Sequence, residues 1–286
     1  SGTADLAFCF YAVPSSADHV VDLPPPGARL VNSSDLGEFR YDESTDALFI
    51  AYKDLVRARC DAAHGQVRTS IACAVAINLW LFSHPMVTIP LTEMAKHRGL
   101  FSVHAAAVAI GGVCLIFPAA SGSGKSTLAL TLARAGWDLL GDDMLFLAPG
   151  HDGPLVRAFP EPIDLTDRTI AFFPELADLA SVPRLPGSPK RQLHLSERYG
   201  TRVAWACRPG ALVFPSVAHR DYSVLTKMDR DEALLELLPN VLLTEARSTQ
   251  AHLDALALLV SECACYRLET GSDLDALPSL LRPLLG

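Results

Sequence analysis

The chemistry of this chain is concentrated between Cys114 and Thr127. There the apolar run Cys114-Leu-Ile-Phe117 passes into Pro118-Ala119-Ala120-Ser121-Gly122-Ser123-Gly124-Lys125-Ser126-Thr127. Glycines let backbone N–H groups close around phosphate oxygens, a lysine at this spacing reaches the β/γ-phosphates, and a Ser hydroxyl at a helix N-terminus can ligate Mg²⁺. Ser121 to Thr127 are therefore the candidate nucleotide-binding residues. The apolar stretch before them reads as a buried strand and Leu128–Ala135 after them as a helix, the context this loop requires. A plain Gly/Ser turn between strand and helix is the competing reading. The strict pattern places Gly five positions before Gly124, where this chain has Ala119, and alanine does not readily take a positive φ. The start of the loop is expected to differ accordingly.

Phosphoryl transfer also needs a metal-side ligand and a group to receive the proton of the attacking hydroxyl. Asp142 and Asp143 stand where the chain leaves the loop that follows the helix and starts the apolar run Met144–Ala148. Neighbouring carboxylates on an extended segment point to opposite sides, so one can face a metal and the other an acceptor. A hydrated Gly-Asp-Asp turn is the alternative. His104, in Ser102-Val103-His104-Ala105-Ala106, is a candidate by chemistry, though a lone histidine also serves as a core residue. Lys190 and Arg191 could neutralise charge on a transferred phosphoryl group, or belong to a solvated basic loop. Glu161 and Asp164 are either additional metal contacts or solvated loop acids.

The elements that must position these groups follow from patterning. Val103–Ile110 and Val113–Phe117 flank Gly111-Gly112, a hairpin signature whose second strand feeds the loop. The helix ends at Gly136, Trp137–Leu140 leads to the Asp pair, and the strand over Met144–Ala148 completes a βαβ unit. Residues 149–202, rich in Pro, Gly and Arg, read as a long irregular loop. Strands are expected at Ala211–Phe214, Ser223–Met228 and Cys265–Leu268. Helices are expected at Asp229–Leu238, with Asp229 as cap, at Ala251–Val260 and at Asp273–Leu284. Residues 1–98 read as a small α+β module, with alternating stretches at Leu6–Val13 and Ala47–Tyr52, a buried helix over Ser70–Phe82 and a connecting helix over Leu91–Arg98 closed by Gly99. Residues 99–286 form the nucleotide-binding domain.

Composition narrows the function classes. In 286 residues, 50% are hydrophobic and the net charge is −8, which disfavours a nucleic-acid binder needing a basic face. Arg57, Arg59 and Arg68 are either an acidic-peptide or phosphate patch or ordinary surface. Seven scattered cysteines suit a reduced cytosolic protein, and no second Cys/His pair stands at zinc-finger spacing. Without an uninterrupted apolar span or a signal-peptide pattern, the expectation is a soluble cytoplasmic protein with no membrane partner. Ser1-Gly2, without a starting Met, reads as a remnant of tag removal.

A His-bearing strand, a hairpin into a Ser-Gly-x-Gly-Lys-Ser loop, a helix ending at Gly-Trp, and Asp-Asp opening a strand together resemble the catalytic domain of HPr kinase/phosphorylase. The pattern is more similar still to the related serine kinases that accompany peptide-modifying enzymes, including lasso-peptide tailoring kinases. The match spans about residues 100–148. It implies an α/β P-loop kinase fold related to phosphoenolpyruvate carboxykinase, using ATP and Mg²⁺ to phosphorylate a serine of a peptide or protein. By position it makes Asp142 the base, Asp143 and Ser126 the metal side, His104 the histidine supporting the reacting groups, and Lys125 a catalytic as well as a binding residue. An oligomer is compatible with the same resemblance, because true HPr kinases form hexamers. The glycine-rich substrate signature of those enzymes is absent from Phe159-Pro160-Glu161-Pro162-Ile163-Asp164, which argues against HPr as acceptor and against phosphorolysis. A small-metabolite kinase and a non-catalytic ATP-binding switch remain as other readings.

Overall fold

The structure is a computed structural model that describes residues 6–34, 37–73, 78, 82–151, 153–186 and 188–286. The chain divides into two compact units. The first comprises Ser1–Leu100, Leu185–Pro189 and Leu243–Gln250; the second comprises Phe101–Arg184, Lys190–Leu242 and Ala251–Gly286.

In the first unit, six strands form one sheet: β1 (Ala7–Val13), β2 (Arg29–Ser34), β3 (Gly37–Asp42), β4 (Ala47–Tyr52), β5 (Val56–Asp61) and β6 (Gln66–Ala72). Their order is β1-β6-β5-β4-β3-β2, an antiparallel meander with β1 added parallel to β6. β5 alternates buried and half-buried residues along its length, the pattern of a sheet with one face on a core. Phe39, Tyr41, Leu48, Ile50, Ala58, Cys60 and Val67 make that core with Met94, which lies on α1 (Ile89–Lys96). The helix expected over Ser70–Phe82 is not found at its start, because Ser70–Ala72 belong to β6. Cross-strand pairing with β5 outweighs helical periodicity there. Residues 74–77 and 79–81 of that stretch lie outside the described residues. Within the same unit Glu93 is buried and ion-paired with Lys96 Nζ at 2.9 Å, and it accepts the Thr244 hydroxyl at 3.0 Å. A buried carboxylate is tolerable only with such partners.

The second unit is a mixed α/β fold. Its strands are β7 (Phe101–Val103), β8 (Ala105–Ile110), β9 (Val113–Pro118), β10 (Asp138–Gly141), β11 (Leu145–Gly150), β12 (Gly153–Ala158), β13 (Ile163–Leu165), β14 (Arg191–Leu193), β15 (Ala206–Val217), β16 (Val224–Lys227) and β17 (Ala264–Thr270). Nine of them share a sheet on the path β10-β8-β9-β15-β12-β11-β7, with β17 beside β15 and β16 beside β17; β13 and β14 pair separately. Its helices are α2 (Lys125–Arg134), α3 (Asp167–Ile170), α4 (Leu195–Tyr199), α5 (Arg230–Leu237), α6 (Ala246–Glu262, which begins in the first unit's last segment) and α7 (Leu277–Leu281). Alternate residues of the central strands enter two cores. Ala106, Val108, Leu115, Phe117, Ala211 and Val213 pack with Leu128, Leu132 and Leu277 on one face. Ala105, Ala107, Cys114, Ile116, Leu212 and Phe214 pack with Leu237, Leu256 and Leu259 on the other. Burial on both faces explains why Ala105 to Ala109 is an unbroken apolar run.

Several sequence expectations need correcting. The strand that returns from α2 is β10, over Asp138–Gly141, and it lies beyond β8, antiparallel to it, so β8 separates β9 from β10 in the βαβ crossover. Leu145–Gly150 instead pairs with β12 and β7. Residues 149–202 are no loop, since they hold β12, β13, β14, α3 and α4; the pairings that order them join residues far apart in sequence, which proline and glycine content does not reveal. Asp229 stands at the N-cap of α5, yet its side chain makes no capping bond. The segment expected as one helix over Asp273–Leu284 is α7 between two 3₁₀ turns.

Gly141 ends β10 immediately before the Asp pair. A Cβ there would sit 2.6 Å from the Met144 carbonyl oxygen and 3.2 Å from that of Phe159, both backbone atoms that cannot step aside. Gly141→Ala is expected to lower unfolding free energy by about 1–3 kcal/mol in urea titration.

Candidate functional site

β9 delivers the chain to the glycine loop at the end of the sheet, and α2 starts there with Gly124 as N-cap. Gly122 and Gly124 hold φ at 86° and 96°, left-handed conformations that favour glycine. Among the described residues only Asp46 and Lys53 have positive φ without being glycine, so Ala119 takes an ordinary backbone and the alanine imposes no strain. Ala119 and Ala120 instead offer their carbonyls to Lys125 Nζ, the second at 3.1 Å. The Lys125 side chain is buried. Desolvation lowers its pKa, and the negative charges of Asp143 and Asp142 oppose that shift.

The loop forms one wall of a cleft of about 650 Å³. Ser121, Gly122, Gly124, Lys125, Ser126, Thr127, His104, Asp143 and Lys190 all line it, joined by Asp164. Ser123 does not, and its buried hydroxyl has no partner among the described residues. Arg191 is also held away, with its guanidinium on Asp167 at 3.1 Å and on the Val182 carbonyl. The facing wall escaped the sequence reading altogether. It consists of Val217–Asp221, brought beside Thr270–Ser272 by the parallel pairing of β15 and β17, together with Arg168 and the half-exposed ring of Phe172. No local signal marks these residues; only the strand register assembles them.

The Asp pair lies in a bend between β10 and β11, not on the extended segment expected, and its two side chains still part. Ser126 Oγ donates to Asp142 Oδ2 at 2.8 Å, and Asp142 is buried. Asp143, half-exposed, meets His104 Nε2 at 2.9 Å, so that nitrogen carries the proton when the imidazole is neutral. The residue read from the sequence as the base therefore bonds the metal-side serine, and the one read as the metal-side carboxylate faces the cleft beside the histidine. Burial raises the Asp142 pKa to about 6, with the Asp143 charge adding to it and the Ser126 hydrogen bond opposing it. For Asp143 burial also pushes upward, but the His104 hydrogen bond and charge, aided by Lys125 and Lys190, prevail and bring it to about 2. Glu161 is pushed up to about 8 by burial and by the two aspartates.

Asp142 Oδ1, Glu161 Oε1 and Asp164 Oδ1 are buried without a hydrogen-bond partner among the described residues. Unpartnered carboxylate oxygens near a serine hydroxyl suit a hard divalent cation. Among the described residues no group of three His, Cys, Asp or Glu side chains is placed to hold an ion. A Mg²⁺ ion here would thus draw part of its coordination from ligand oxygens, as Mg²⁺ commonly does. No described helix is long and apolar enough to cross a membrane.

No protein-family model matches the sequence, and no curated protein matches it. A solved structure similar to this chain is the Hpr(Ser) kinase/phosphatase from Coxiella burnetii, at 12% identity and a TM-score of 0.33, covering 64% of this chain and 92% of that one. A likeness that slight establishes no kinship, and the chemistry rests on the residues themselves.

Because the folded state raises the Asp142 pKa, it keeps a proton that the unfolded chain loses near pH 3.8. Stability is then penalised as pH rises from about 4 through about 6, and fully so above that range. In metal-free buffer Asp142→Asn is expected to be more stable than the parent by about 1–3 kcal/mol at neutral pH and equal to it near pH 3.5, read by chemical denaturation.

Proposed function

We propose that the second unit is an ATP-dependent kinase that transfers the γ-phosphoryl group to a serine hydroxyl of a peptide or protein. The observation that carries this reading is the convergence on one cleft of a glycine loop at a helix N-terminus, Lys125, the Ser126–Asp142 bond and the Asp143–His104 pair. A site that only held nucleotide would need the first two features and would have no use for an ionised carboxylate braced by histidine beside them. The serine and the peptidic acceptor come from the sequence resemblance; a lasso peptide or another ribosomal peptide is the acceptor class it suggests.

In this reading the loop N–H groups and Lys125 bind the phosphates, with Lys190 on the cleft wall countering charge on the transferred group. Ser126 and Asp142, with Glu161 close by, would hold Mg²⁺, whose contribution when bound is to neutralise phosphate charge. Asp143 accepts the proton of the serine hydroxyl as that oxygen bonds phosphorus, the bond to the β-phosphate oxygen breaks, and ADP leaves. A carboxylate with a pKa near 2 is a weak base, yet it is fully ionised at neutral pH. A loose phosphoryl-transfer transition state asks for orientation first and for the proton only late. His104 fixes the carboxylate's position and orients it toward the acceptor. The roles of the two aspartates are thereby exchanged relative to the sequence reading.

Two variants separate these roles. Asp143→Asn is expected to lower kcat by at least about 100-fold while Mg-ATP affinity stays within a few-fold of the parent. Asp142→Asn is expected to weaken Mg-ATP binding by about tenfold or more. Isothermal titration and mass-spectrometric detection of phosphate on serine peptides, with free serine as a parallel acceptor, check both. Equal transfer by Asp143→Asn and parent would refute the base assignment, and transfer to free serine alone would move the enzyme to the metabolite kinases.

Lys125→Ala should abolish ATP binding in the same titration, because it removes the loop's cation.

A further inference from the structure

The three arginines that sequence inspection leaves as scattered surface are gathered by the first unit's sheet. Arg59 on β5 lies directly opposite Arg68 on β6, and Arg57, two residues along, lies opposite Ser70. All three share the face turned away from the Met94 core, and the same cross-strand row runs on through Phe49 on β4 to Arg40 on β3. Like charges placed directly across an antiparallel pair are destabilising, so the Arg59–Arg68 pairing carries a cost of its own.

Acidic compensation is partial. Asp61 pairs with Arg59 at 3.3 Å, and Glu38 pairs with Arg40. Among the described residues Arg57 and Arg68 have no carboxylate partner. Arg59 Nε is buried with no hydrogen-bond acceptor among the described residues. In a protein of net charge −8 this is a concentrated cationic surface. The guanidinium of Arg59 lies 5.8 Å from the ring centroid of buried Phe49, and that of Arg68 lies 5.5 Å from that of Tyr11. Stacking restrains both side chains, which lowers the entropy lost on binding an anion.

From these observations we infer that the arginine face of the six-stranded sheet docks an acidic segment of a polypeptide partner, with Arg57, Arg59 and Arg68 receiving its carboxylates. The spacing matches: Arg57 and Arg59 are roughly 7 Å apart along the strand, the same interval that separates alternate side chains of an extended peptide. The charges spread over two strands instead of converging on one point, which fits a row of carboxylates better than a single phosphate. Nucleic acid fits poorly, because the aromatic rings on this face are already covered by guanidinium groups and are not presented to bases.

The test is fluorescence anisotropy with a labelled peptide carrying Glu at alternate positions, and its Gln counterpart, on the full chain without nucleotide. The Glu peptide is expected to bind and to weaken as salt rises, while the Gln peptide does not bind. Arg57→Gln and Arg68→Gln are each expected to weaken binding about tenfold, and the double variant to abolish it. Among the described residues neither arginine has an acidic partner to strand, so the double variant should unfold at the same or higher denaturant; should it fail to fold, the single variants carry the test. The inference is overturned if both peptides bind alike, if the variants bind the Glu peptide as the parent does, or if single-stranded DNA of equal charge displaces it at equal concentration. Since no ATP is involved, failure here leaves the kinase reading standing, and Asp143→Asn should bind the peptide undiminished.

Discussion

Two carboxylates side by side in sequence cannot be accommodated in the same environment without driving one of them neutral. The bend between β10 and β11 resolves this by sending Asp142 inward to Ser126 and leaving Asp143 in the cleft with His104. The rest of the site is arranged around that division. Burial and the neighbouring charge raise one pKa to about 6, while the imidazole and two lysines hold the other at about 2. One side chain type thereby acquires two opposite shifts in acidity, and the difference comes from where the strand and the helix N-terminus meet. Gly141 is what lets the backbone make that approach, since even a methyl group there would strike two carbonyls.

The sequence was most legible where function is local. The loop from Ser121 to Thr127, the Gly111-Gly112 hairpin and the alternating stretches Leu6–Val13 and Ala47–Tyr52 each carry their own geometric requirement within a few residues, and each stands close to where it was expected. What could not be read depends on pairing between distant segments. β12, β13 and β14 were hidden in a stretch whose prolines and glycines suggested a loop. The wall from Val217 to Ser272 exists only because β15 and β17 run parallel in one register. Division of labour within the Asp pair was ambiguous for a further reason: alternation shows that the two side chains part, and only the neighbours show which one goes where.

The arginine row illustrates the same limit from the other side. Arg57 and Arg59 sit two apart and so share a face by strand geometry alone, but Arg68 joins them through the β5–β6 register. A shift of that register by one residue would have sent Arg68 to the opposite face, among Val67's apolar neighbours. The deep burial of Val67 and Cys60, which pair in the present register, fixes the position of the charges without any charged residue taking part.

β15 has a consequence of another kind. Its residues Arg208–Leu212 pair with β9 and Ala211–Val217 with β17, while Ala206 and Cys207 pair with β12, and its last residue stands where a Cβ on Gly124 would lie 3.3 Å from it. Both walls of the cleft are consequently hung from a single strand, and the gap between them is set by backbone hydrogen bonds. Side chains on the wall from Val217 to Asp221 can then be exchanged one at a time without widening or closing the opening.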